Sequence, residues 1–164
     1  VPDNCAAAAI GAQGPARGEP APPTREQERE AMPPVQSALR FSAPFRGAEI
    51  VLHAVPMGRD LAVTLAGGDV AHIGAVAVAL PRPSLDDAGK TSATTSVIAI
   101  LGHKEDMLAR SLAARIAAEI DGVVTLACGI HYDALAADDI AGVVAAAERL
   151  TGQLIEALAG RARA

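Results

Sequence analysis

Proline decides where this chain can fold. Seven of the eleven prolines lie at or before Pro34, and none follows Pro83. Proline lacks a backbone N–H and fixes φ, so helices and central strands exclude it. Gly11–Pro23 mixes Gly, Pro and Ala without hydrophobic period, and such a stretch does not bury enough apolar surface to offset the entropy of ordering. Thr24–Ala31 could form a short polar helix but has no apolar stripe to dock. Residues 1–38 therefore read as a disordered Ala/Gly/Pro-rich tail, and residues 39–160 as one domain.

The 164-residue chain is 51% hydrophobic, enough for a real core. Lys and Arg total 14 against 19 Asp and Glu, a net charge of −5, which excludes a generally basic nucleic-acid binder. The aromatic side chains are only Phe41, Phe45 and Tyr132, too few for a base-stacking module. Cys5 and Cys128 make neither a CxxC pair nor a disulfide framework, which fits a reducing cytoplasm. The longest uncharged apolar runs fall short of a membrane span, and the first ten residues carry an acid where a signal peptide has bases.

Within the domain, Ala48–Val55 and Leu61–Leu65 read as a hairpin around Met57–Asp60. Val70–Leu80 and Thr94–Leu101 carry apolar residues on both faces, the pattern of strands covered on both sides. Leu108, Leu112, Ile116 and Ile120 recur every four residues, so Lys104–Asp121 reads as an amphipathic helix ended by Gly122. Val123–Ile130 is a fifth strand. Asp138–Ala159 is a second helix with Ile140, Val143, Val144, Ala147, Leu150, Leu154 and Leu158 inward, capped weakly or by Asp138. The order β-β-β-β-α-β-α, strands first and helices late, indicates an α+β fold.

The domain holds four histidines, and His72, His103 and His131 stand at predicted strand ends, while His53 is mid-strand and assigned to structure. Antiparallel pairing of the third and fourth strands would bring His72 to His103. A helical crossover that sets the fifth strand parallel to the fourth would add His131 to the same rim. These imidazoles could make a three-His metal site, but no helical His-x-x-x-His pair is present and no residue is assigned to a metal. Lys104, one of two lysines, sits at a helix start, where it either binds a phosphate or carboxylate or pairs with Glu105 or Asp106. Thr91–Ser96 packs five hydroxyls into six residues after Lys90, either a phosphate-holding loop with Arg82 or a polar strand start. His131 and Asp133 could ligate a metal, or Tyr132 between them could offer a flat ring. Cys128, in an apolar strand, reads as an inert core thiol. The common hydrolase and nucleotide motifs are absent.

Three strings occur in order: His72–Ala77 leading into Pro81-Arg82-Pro83-Ser84, then Ser92–Val97 running to Gly102-His103-Lys104-Glu105, then Gly129-Ile130-His131-Tyr132-Asp133. Together they resemble the LpdD-like prenylated-flavin chaperone family, over roughly Ala48–Leu158. The resemblance implies a fold like the proteasome-assembly chaperones, with a mostly antiparallel sheet flanked by two helices, and a homodimer. It implies binding of prenylated FMN made by an upstream flavin prenyltransferase, followed by its protection, maturation or delivery to a prenylated-flavin-dependent aromatic-acid decarboxylase.

Under that resemblance, His72, Arg82, Ser92, Thr94, Thr95, Ser96, His103, Lys104, Glu105 and Tyr132 become candidate cofactor contacts. Residue chemistry then gives each a role. Arg82, Lys104 and the hydroxyls would hold the phosphate, and Tyr132 would cover the ring. His103 or His131 would move protons if the chain matures the reduced cofactor catalytically, and a divalent metal could bridge phosphate to Glu105. Two other readings stay open: a metal-dependent hydrolase using the three-His rim, and a flavin-independent assembly partner of a decarboxylase.

Overall fold

The last strand in the sequence lies inside the sheet, and this placement organises the molecule. The computed structural model describes residues 37–161, except Ala88 and the side chain of Ala137. The tail assigned to residues 1–38, with its short helix at Thr24–Ala31, lies outside the described residues except for Ser37 and Ala38. The elements are β1 (Leu39–Phe45), β2 (Ala48–Met57), β3 (Asp60–Gly68), β4 (Ala75–Pro83), β5 (Thr91–Ala99), α1 (Asp106–Ile120), β6 (Val124–His131) and α2 (Ala137–Arg161).

The six strands form one sheet in the order β1-β2-β3-β6-β4-β5. Pairing is antiparallel except between β3 and β6, which run parallel with Leu65 opposite Cys128. The sheet is therefore mixed, a correction to an expectation that stressed antiparallel pairing. The parallel pair arises because β5, α1 and β6 form a crossover that passes over β4 and inserts β6 beside β3. The same insertion sets β6 antiparallel to β4, so β6 runs parallel to β5, as the helical crossover predicts, with β4 lying between the two.

The sequence reading also omits β1. Leu39, Phe41, Ala43 and Phe45 alternate as a strand should, but Pro44 interrupts the run. Because β1 is an edge strand with a single neighbour, it tolerates that proline.

Alternation places Leu52, Leu65, Cys128 and Ala75 in one cross-strand row, all fully buried. Both helices cover this face: α1 lies on β4, β5 and β6, and α2 on β1 and β2. The inward stripe of α1 is Ala109, Leu112, Ala113, Ile116 and Ala117. Its three alanines let the helix approach the alanines of β4 closely.

The opposite face carries no helix among the described residues. Val78 and Leu80 of β4 are 37% and 50% exposed, and Ile98 of β5 is 72% exposed. β4 is interior within the sheet, but β5, which has the same two-sided apolar pattern, is an edge strand, and the outer face of both is bare rather than covered. Ile140 is likewise exposed rather than inward. The first turn of α2 is held by Asp139, not Asp138: its Oδ2 accepts the Ala136 N–H at 3.0 Å and meets Arg46 Nη1 at 2.8 Å.

Candidate functional site

The start of β4, the end of β5 and the end of β6 meet at one end of the sheet. Antiparallel register puts Ala75 opposite both Ala99 and Cys128. Residues just outside these positions are thereby collected. The segment from Asp69 to Gly74 crosses the end of β6, tied by Asp69 N–H to the His131 carbonyl (2.7 Å) and Gly74 N–H to the Cys128 carbonyl (2.9 Å). The exit from β5 is fixed by Ile100 N–H donating to the Gly74 carbonyl at 2.8 Å. A turn at Gly102, closed by His103 N–H to the Ile100 carbonyl, then aims His103 back over the rim.

The result is a group of three imidazoles. The His72 and His103 rings are 4.3 Å apart between centroids, and those of His72 and His131 are 6.1 Å apart. Glu105 joins them. It precedes α1, where a side chain ordinarily caps the helix, but it makes no side-chain cap. Its carboxylate instead turns to the imidazoles, with Oε1 3.2 Å from His72 Nε2 and Oε2 3.9 Å from His103 Nδ1. Oε2 also accepts the Lys104 N–H at 2.9 Å.

The Glu105 side chain is only 13% exposed and that of His72 only 19%. Shielding a carboxylate this far demands a partner. His72 is oriented from behind by its Nδ1, 3.3 Å from the Val70 carbonyl. A carbonyl only accepts, so Nδ1 carries the hydrogen. Nε2 is buried and makes no hydrogen bond.

Two glycines make this approach feasible, and the motif reading passed over both as site residues. A Cβ on Gly74 would collide with the Glu105 carboxylate, and one on Gly129 with the His72 carbonyl. The available signal was a glycine close to His72 and to His131 at the strand ends.

The remaining predicted residues separate. Arg82 lies at the far end of β4, about 23 Å along the strand from Ala75. It pairs with Ser92, and its guanidinium donates to Thr94 Oγ1 (3.0 Å) and the Pro83 carbonyl (2.8 Å). Arg82 and Lys104 thus do not share one phosphate site. The strand pleat divides the hydroxyls too: Ser92, Thr94 and Ser96 lie on the outer face, while Thr95 faces the helices and its carbonyl accepts from Arg110.

Tyr132 lies in the core rather than open at the rim, where covering a ring would need it. It is 5% exposed, donates its hydroxyl to the Phe45 carbonyl at 3.1 Å and packs edge-on against Phe45. Burial, with the Asp69 charge, raises its pKa above the ordinary phenol value. His131 remains at the rim with Nε2 3.1 Å from Asp133 Oδ1. Cys128 is fully buried, and burial together with the nearby Glu105 charge pushes its thiol up to about 12, as an inert core thiol requires.

Exposed apolar side chains stand next to the rim residues in the sequence: Ile73, Ile100, Leu101 and Met107. The rim therefore combines shielded polar groups, an exposed lysine and an apolar apron. A separate cleft lined by Pro56, Arg59, Leu61, Ile120 and Leu158 contains no imidazole.

A chain of a chaperone complex for yeast 20S proteasome assembly is similar in structure, with a TM-score of 0.45 and 12% identity, over 76% of this chain and 95% of that one. No curated protein matches the chain. Residues 45–159 match the model of the prenylated flavin chaperone LpdD-like domain, a span that contains the whole rim. The chain belongs to the LpdD-like prenylated flavin chaperone domain family.

Proposed function

We propose that this protein binds prenylated FMN at the imidazole rim and delivers it to a prenylated-flavin-dependent aromatic-acid decarboxylase, downstream of a flavin prenyltransferase. The observation that carries this reading is the meeting of His72, His103, His131 and Glu105 beside an apolar apron, within the span matched to the family. The residues fit such a cofactor: His72 Nε2 is an orphaned polar atom, and Ile73, Ile100, Leu101 and Met107 offer apolar surface.

Lys104 supplies the cation for the phosphate, and His72 and Glu105 supply polar contacts. His103 and His131 are suited to hold or move a proton, which is the role a maturase would need. When bound, the prenylated flavin supplies the redox chemistry, while the protein supplies position and shelter from water. The helix-free sheet face with Val78, Leu80 and Ile98 would be covered by a second copy, giving a homodimer.

Anaerobic titration with reduced prenylated FMN tests the reading by absorbance. The expected result is saturable binding, weakened about tenfold or more in His103→Ala and Lys104→Ala, a loss matching one charge-assisted contact. Thermal stability should hardly change. The loaded protein should activate a decarboxylase apo-enzyme. Co-purification with the decarboxylase in the absence of flavin affinity would instead favour an assembly partner.

A further inference from the structure

We propose that His72, His103 and Glu105 form a binding site for a first-row divalent transition-metal ion. This goes beyond flavin binding and does not depend on it. The three side chains each offer one ligand atom, all within 4.8 Å of one another. An ion bonded at about 2.0–2.2 Å to nitrogen and oxygen spaces its ligands roughly 3.3 Å apart. The 3.2 Å gap from Glu105 Oε1 to His72 Nε2 already has that value, and the 3.9 Å gap from Oε2 to His103 Nδ1 is close to it.

The hydrogen positions strengthen the case. His72 donates its Nδ1–H to the Val70 carbonyl, so in the neutral imidazole Nε2 is the nitrogen that offers a lone pair. That lone pair lies beside a carboxylate oxygen, in a shielded place, with no hydrogen bond between them. A proton on Nε2 or a bound metal ion satisfies this pair, and the third ligand atom, from His103, suits the metal ion. Donation of the second ring N–H to a backbone carbonyl is also how metal-binding imidazoles are oriented.

Gly74 contributes by leaving space for the Glu105 carboxylate. Two nitrogens and one carboxylate select a borderline ion such as Zn²⁺ or Fe²⁺ over Mg²⁺ or Ca²⁺, which favour all-oxygen sites. Three protein ligands leave a coordination position open towards the rim. The ligand set differs from a three-His site, since Glu105 replaces His131, whose Nε2 is engaged by Asp133.

The full chain, stripped with chelator, is titrated with Co²⁺ under anaerobic conditions and then challenged with Zn²⁺. The expected result is one Co²⁺ per chain, with visible ligand-field bands that Zn²⁺ abolishes and Mg²⁺ does not. Glu105→Gln and His103→Ala should each weaken Co²⁺ binding by about a hundredfold, with circular dichroism confirming the fold. His53→Ala, which removes an exposed imidazole on the sheet face, should bind normally. Absence of Co²⁺ and Zn²⁺ uptake, equal uptake by folded Glu105→Gln, or displacement by Mg²⁺ would each overturn the site.

Reduced prenylated FMN is titrated in parallel into the metal-free protein. Flavin binding without metal uptake removes this inference alone. Metal uptake without flavin binding, by the metal-free or the metal-loaded protein, removes only the flavin reading.

Discussion

Glu105 shows how much one side chain can redirect. At the residue before α1 it leaves the helix without a side-chain cap and turns its carboxylate to two imidazoles. Its neighbour Gly74 is the sensitive control. In Gly74→Ala the new methyl meets the flexible end of Glu105, so stability should fall by less than about 1 kcal/mol while metal affinity drops sharply. Gly129→Ala instead meets the rigid backbone of His72 and should lose about 2 kcal/mol or more by urea denaturation.

Cys128 gives a second residue-scale prediction. Its thiol moves from 9.0 to about 12 in the folded chain, so the unfolded chain releases that proton first. Its contribution to stability is complete below pH 9.0 and is lost as pH rises towards about 12. The drop in unfolding free energy between about pH 8 and about pH 10.5 should be larger in the native sequence than in Cys128→Ala.

At the scale of elements, the repeats of α1 and the alternation of β2 and β3 were legible because burial follows a single period in each. The convergence of His72 with His103 was legible too, since antiparallel pairing puts one strand's start beside the next one's end. The separation of Arg82 from Lys104 was not read from the sequence, although the same pairing dictates it: residues at opposite ends of a strand cannot share a small ligand. Tyr132 was misplaced because nothing in a local string shows that Phe45, far away in the chain, will pack against it.

The buried stripe of α2 contains another element-scale test. Thr151 is fully buried and its hydroxyl has no hydrogen-bond partner. Thr151→Val keeps the shape and removes the unsatisfied group, so it should stabilise the chain by about 1 kcal/mol in urea denaturation.

For the whole molecule, the two faces of the sheet behave differently. One is sealed by α1 and α2, and the other leaves Val55, Val78, Leu80 and Ile98 in solvent. If a second copy covers that face, Ile98→Lys should shift the protein to monomer in sedimentation velocity while its far-UV circular dichroism stays unchanged. An unaltered sedimentation coefficient for a dimeric parent would place the contact elsewhere.

The position of β6 has a consequence for biogenesis. Until it is inserted, the meander of β1 to β3 and the β4–β5 hairpin share no ladder. A nascent chain that has emerged only as far as Gly122 therefore exposes two unpaired strand edges, of β3 and β4, beyond the β1 and β5 edges of the finished sheet, a recognised aggregation hazard. Assembly of the rim must wait until the ribosome has released β6, which makes that late-emerging segment the step where chaperone protection of this chain itself would matter most.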